Sequence, residues 1–75
     1  MIHAKADIVG TMWQILGRAG DRVSAGQVIA VMESMKMEIP VAAPADGRLG
    51  QILVGEGQIV QEGDPIAEIL PDGSP

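Results

Sequence analysis

Slid along itself by 37 positions, the sequence from Gly10 to Glu33 falls on Gly47 to Leu70 without a gap. Nine of the 24 aligned positions are identical: Gly10/Gly47, the run Gln14-Ile15-Leu16 on Gln51-Ile52-Leu53, Gly20/Gly57, Val23/Val60, Gly26/Gly63 and Ile29-Ala30 on Ile66-Ala67. Self-similarity at a fixed period means that one structural unit is used more than once. Each copy carries Gly-x-x-Val-x-x-Gly: Gly20, Val23, Gly26, then Gly57, Val60, Gly63. Glycines three residues either side of one valine predict tight turns bracketing a short strand. All the glycines read as turn makers. Apolar strands are expected at Met12 to Leu16, Val28 to Met32, Leu49 to Val54 and Pro65 to Leu70, with Ile2 to Ala6 as an edge strand pairing near the C-terminal one. Pro40 and Pro44 suit strand edges or turns. No segment sustains a helical period.

A half of this kind cannot bury its apolar face alone, but two packed around a pseudo-two-fold axis can. The expectation is a single all-β domain over residues 1–75, with repeat halves 10–33 and 47–70 and a tail 71–75. Its form would be a flattened barrel or sandwich of about eight short strands. Trp13 is the only aromatic residue, so the core must come from aliphatic side chains. Met12, Ile15, Val23, Ile29, Met32, Leu49, Ile52, Val60, Ile66 and Ile69 are its candidates. Trp13 reads as core filler or strand cover, with a surface contact as the lesser reading.

The repeat isolates one lysine. Lys36 lies in the connection between the halves, and its counterpart 37 positions on is Gly73. The fold therefore does not require a lysine there. The flanking strands, Val28 to Glu33 and Met37 to Val41, leave Met35-Lys36 as a two-residue hairpin tip. It lacks the Asn-Gly or Asp-Gly chemistry such turns prefer, and strain of that kind collects at functional sites. Lys5, the other lysine, reads as a solvated charge, and His3 as an exposed residue with no second histidine for a metal site. Glu33 and Glu38 could steer basic partner surfaces. The net charge of −5, with basic residues scattered, excludes a phosphate-binding surface and hence nucleic acid. No apolar run approaches a membrane span, so no membrane partner is expected. The absence of cysteine and of a basic-then-apolar leader fits a reducing compartment such as the cytoplasm. No nucleophile–base pair or carboxylate dyad is evident, so the chain is not expected to be an enzyme by itself.

Glu33-Ser34-Met35-Lys36-Met37-Glu38 resembles the attachment motif of biotinyl carrier domains, usually Glu-Ala-Met-Lys-Met. Gly20-Asp21, Val23, Gly26-Gln27, Asp46-Gly47, Gly57, Val60 and Gly63 match that family too, over about Val9 to Leu70. The chain resembles the small stand-alone biotin/lipoyl attachment proteins, and is similar also to the carrier subunit of transcarboxylase and the C-terminal domains of acyl-CoA carboxylases. The resemblance implies covalent biotin on Lys36, added by a biotin protein ligase. It implies a carrier that moves a carboxyl group between the sites of a biotin carboxylase and a carboxyltransferase. Met35 and Met37 would be read by ligase or partner, with Glu33, Ser34 and Glu38 as the flanking motif. Ser34 stands where alanine is usual and, being small, reads as a tolerated replacement. The gapless repeat leaves no room for the inserted thumb found in the first half of many bacterial acetyl-CoA carboxylase carriers. Lipoyl domains share the fold but usually carry Asp-Lys-Ala at the tip, so lipoate is the lesser cofactor. An unmodified β-sandwich interaction module is the rival from another class.

A lysine in water is protonated at neutral pH and a poor nucleophile. The ligase must therefore supply the deprotonation and the activated acyl group, and the carrier has only to present the amine on a rigid scaffold.

Overall fold

The computed structural model describes residues 2–71, and every regular element in that range is a strand. They are β1 (Ile2–Lys5), β2 (Gly10–Ile15), β3 (Arg22–Val23), β4 (Val28–Ser34), β5 (Met37–Ala42), β6 (Gly47–Ile52), β7 (Ile59–Val60) and β8 (Pro65–Pro71). Two antiparallel four-stranded sheets form, ordered β1-β8-β6-β3 and β5-β4-β2-β7. The expected all-β sandwich of about eight strands is found. Its halves are interleaved rather than stacked: β3 of the first half pairs with β6, and β7 of the second pairs with β2. Each sheet thus borrows one short strand from the other half, which neither half could complete alone.

The offset of 37 also governs β1, which the sequence comparison had left outside the repeat. Ile2, His3, Ala4 and Lys5 pair with Ile69, Glu68, Ala67 and Pro65. Ile39, Pro40, Val41 and Ala42 pair with Met32, Val31, Ala30 and Val28, which is the same register shifted by 37. Ala6 N donates to Asp64 O just as Ala43 N donates to Gln27 O. β1 is therefore the symmetry mate of β5. The similarity was hard to see in side chains because only Ile2/Ile39 is shared within the strand, with Ala6/Ala43 just beyond it.

Four turns repeat one device. Gly20, Gly26, Gly57 and Gly63 all have φ between 87° and 97°. In each turn the next residue sends its side chain back three positions: Asp21 Oδ2 accepts from Arg18 N, Gln27 Oε1 from Ser24 N, Gln58 Oε1 from Gly55 N and Asp64 Oδ2 from Gln61 N. Its backbone N–H closes the same turn in reverse, as Asp21 N to Arg18 O does. A glycine third in a turn of this kind avoids a steric penalty.

Gly10 and Gly47 are not turn makers, which corrects the uniform reading of the glycines. Both lie inside strands, at equivalent positions. A Cβ on Gly10 would stand 2.6 Å from Glu33 O, and one on Gly47 would collide with Leu70 O. These glycines let neighbouring strands come close.

The core between the sheets holds Met12, Val23, Ile29, Met32, Leu49, Val60, Ile66 and Ile69, all buried, as expected. Ile15 and Ile52 only pack against its rim. Residues beyond the named candidates complete it, mostly small ones: Ala4, Ala6, Ala30, Ala43 and Ala67, with Val41. Trp13 is not core filler. It is the extra residue of a bulge in β2, between Met12 and Gln14, and is 44% exposed on the outer face.

Val60 is fully buried on a two-residue strand. Val60→Ala is expected to cost about 2 kcal/mol through lost burial and a residual cavity. At this size that lowers the melting temperature by roughly 10 °C. A thermal melt within 2 °C of wild type would show that β7 does not clamp the two halves together.

Candidate functional site

The sequence places a turn at Met35-Lys36, and the backbone there is a left-handed pair. Met35 has φ 53° and Lys36 φ 66°, the only non-glycine residues with positive φ among those described. Two such residues in succession between paired strands make a type I′ hairpin, whose twist matches the flanking β4 and β5. Ser34 and Met37 form the last pair below it, then Glu33 and Glu38. Each non-glycine residue in this region costs about 1–2 kcal/mol. The sequence thus puts methionine and lysine where asparagine and glycine would be more comfortable.

A firm base holds the strained tip. Ser34 is 8% exposed, and its Oγ donates to Val9 O at 2.9 Å. Gly10 lies against the same strand end, so close that a Cβ there would touch Ser34 Cβ at 3.3 Å. The loop before β2 is thereby pinned beneath the tip. Sequence reasoning treated Ser34 as a tolerated variant of alanine. Its anchoring role was missed because the acceptor is a backbone carbonyl 25 residues away.

Above this base the side chains point to water. Met35 is 86% exposed and Met37 56%. Lys36, Glu33 and Glu38 are exposed too. Among the described residues, no carboxylate or carbonyl holds the Lys36 side chain. All six residues of the expected motif are therefore gathered at one hairpin, five of them accessible and one buried as an anchor. The arrangement offers a primary amine at a fixed backbone position, free to extend, between two soft apolar side chains that suit several different partners.

His3 and Lys5 fall elsewhere. They line one wall of a groove of about 320 Å³ between the edge strands β1 and β5, faced by Pro40, Ala42 and Pro44. No residue of the tip borders it.

The strain is measurable. Met35→Asn, which tolerates a left-handed backbone better, is expected to raise the melting temperature by several degrees, on the order of 1 kcal/mol. An unchanged or lower value would mean that the tip is relaxed.

Comparison with known proteins agrees with this geometry. The family described as "Biotin-requiring enzyme" matches residues 4–69. A biotin/lipoyl attachment protein of Bacillus subtilis is 40% identical over 62 residues, covering 83% of this chain and 85% of the relative. A biotinylated protein of Mycobacterium leprae is 40% identical over 65 residues, covering 87% of this chain and 92% of the relative. Among solved structures, the urea carboxylase of Kluyveromyces lactis superposes with a TM-score of 0.87 at 32% identity. The match covers 92% of this chain and 6% of that one.

Proposed function

From the premise that this chain belongs to the biotin/lipoyl attachment family, we propose that Lys36 is the residue that carries the cofactor. Covalent biotin is the cofactor that the family and the biotinylated relative support. The observation that carries the assignment is a lysine held at positive φ on a two-residue tip, between two exposed methionines. Its side chain is unencumbered, so the tip fits a covalently attached group without any rearrangement of the scaffold.

The chain acts as a carboxyl carrier with no catalysis of its own. Bound biotin supplies a ring nitrogen that takes up a carboxyl group and surrenders it to an acceptor. The residues of this chain hold, present and are recognised. β4 and β5 fix the backbone of Lys36, Ser34 ties that hairpin to the loop before β2, and Met35 and Met37 give partners an apolar grip. The partners are a biotin protein ligase, which acylates Lys36, and the biotin carboxylase and carboxyltransferase between which the carrier moves. Tethering replaces free diffusion with a high local concentration at whichever site the arm can reach.

The test is the intact mass of the chain co-expressed with a biotin ligase and biotin, followed by peptide sequencing. A single biotinyl adduct on Lys36 is expected. An adduct of lipoyl mass would move the chain to the lipoyl carriers. No adduct, with the ligase active on a control substrate, would remove the carrier reading.

A further inference from the structure

The internal two-fold supplies a built-in control for what the fold itself requires. Positions 37 apart share backbone geometry, so a difference in chemistry between them has some other cause. On the outer face of β5-β4-β2-β7, Pro40 pairs with Val31, and Val31 with Gln14 beside the bulged Trp13. That row is an apolar stripe across three strands. The matching row on the other sheet is His3, Glu68 and Gly50, and there the Glu68 carboxylate accepts from Gln51 N. One row nearer the tip, Ile59, Thr11, Glu33 and Glu38 lie side by side across all four strands. Their mates are Arg22, Arg48 and Leu70.

Two features of this face work against the isolated chain. Ile59 is 68% exposed and Trp13 44%. Glu33 and Glu38 stand directly opposite each other, and like charges in that relation destabilise a strand pair. The symmetry-related sheet also sets like charges opposite each other, Arg22 and Arg48, and leaves Leu70 45% exposed, so what sets this face apart is the acidic sign of its charge and the wider apolar surface beside it. A partner with an apolar cleft and a cationic rim would relieve both.

The position of this face selects the partner. Val31 is five residues from Lys36 along β4, about 16 Å. A standard interface covers about 800 Å² on each partner, a disc roughly 16 Å in radius. An enzyme acting on the Lys36 amine itself must close over the tip, and its footprint reaches this stripe. Enzymes that meet only the end of a long tethered group need no such contact.

We propose that the outer face of β5-β4-β2-β7 is the docking surface for the enzyme that acylates Lys36. That enzyme seats the Trp13–Val31–Pro40 stripe in an apolar cleft and meets Glu33 and Glu38 with lysine or arginine side chains. The proposal rests on the reading of Lys36 as the attachment residue. It makes Trp13, which lies outside the Glu33–Glu38 motif on the neighbouring strand β2, a specificity residue.

The test uses the full chain and a biotin protein ligase as the probe, reading KM and kcat for biotin transfer along with the melting temperature of each variant. Trp13→Ser is expected to raise KM at least tenfold with kcat nearly unchanged, as truncation of an aromatic anchor seated in a partner's cleft does. Pro40→Glu, on an exposed edge strand, is expected to do the same and covers the case in which Trp13→Ser unfolds. Glu33→Gln with Glu38→Gln is expected to raise KM several-fold and flatten its dependence on salt. Leu70→Ser, on the opposite sheet, should leave both constants unchanged. A KM within twofold of wild type for Trp13→Ser and Pro40→Glu overturns the proposal. So does a wild-type dimer that Trp13→Ser dissociates without altering KM, because the stripe would then serve self-association. If the wild-type chain accepts no biotin, the reading of Lys36 fails first, and the docking surface falls with it.

Discussion

Lys36→Arg is expected to fold as the parent chain does and to take up no biotin when expressed with an active ligase. Arginine keeps the charge and the length, and it meets the same left-handed backbone at φ 66°. The exposed tip loses no packing, so the melting temperature should stay within about 0.5 kcal/mol of wild type. What changes is nucleophilicity. A guanidinium stays protonated across the accessible pH range and delocalises its charge, so it offers no amine to an acyl donor. The effect on modification is complete loss rather than a slower rate. The chain carries its own control: Lys5, the only other lysine, sits on β1. Lys5→Arg should be modified like wild type. Mass spectrometry of both variants decides the matter. An adduct on Lys36→Arg, or one that appears on Lys5, would sink the assignment.

Gly47→Ala is expected to be the most damaging single methyl group in the chain. Its Cβ would collide with the backbone carbonyl of Leu70 and press on Ile69. Backbone cannot swing aside as a long side chain can, so β6 must move away from β8 or the pair must break. Overpacking of this kind costs on the order of 3 kcal/mol. A chain this small has only a few more to lose. The midpoint should fall by roughly 12–25 °C, and partial unfolding at 37 °C would follow. Two other glycines separate this cause from backbone strain. At Gly57 a Cβ meets nothing within 4 Å, but φ is 89°. Gly57→Ala should therefore cost only the left-handed penalty, about 1–2 kcal/mol. At Gly55 there is space and no positive φ, so Gly55→Ala should be neutral or slightly stabilising. The expected order of midpoints is Gly55→Ala, then Gly57→Ala, then Gly47→Ala. If Gly47→Ala melts within a few degrees of wild type, the strands do not approach as closely as described.

Those three glycines show what was legible in the sequence and what was not. The repeat of Gly20, Val23 and Gly26 on Gly57, Val60 and Gly63 announced two copies of one turn–strand–turn, because positive φ and an inward methyl cluster have a fixed spacing. Gly47 looked the same on paper. Its function depends on a carbonyl 23 residues away, and no local pattern encodes that. The tip was readable for the opposite reason: Met35-Lys36 broke the chemistry expected of a short hairpin, and Lys36 broke the repeat. Ser34 and Trp13 were misjudged because each takes its meaning from another strand. Ser34 reaches the Val9 carbonyl, and Trp13 is turned outward by a bulge that only the pairing of β2 with β4 defines. The relation of β1 to β5 was hidden because register, not residue identity, carries it. The tail residues 72–75, including Gly73, the counterpart of Lys36, lie outside the described part.

The two-fold also decides where the load can be hung. β4 climbs to Lys36, while β8 starts on that same side, where Gly63 N donates to Ala6 O and Val60 lies beside Gly10 under the tip. β8 therefore descends away from it, and Pro71 and Ile2 end up at the pole facing away from the cofactor. The body measures 42 × 18 × 16 Å, a rod rather than a ball. Anything joined through Ile2 or Pro71 would grip this rod by its heel, with the lysine at its toe. The domain would then work as a stiff boom, adding its own length to the reach of the arm. It would do so without the loss of local concentration that an equally long flexible linker brings.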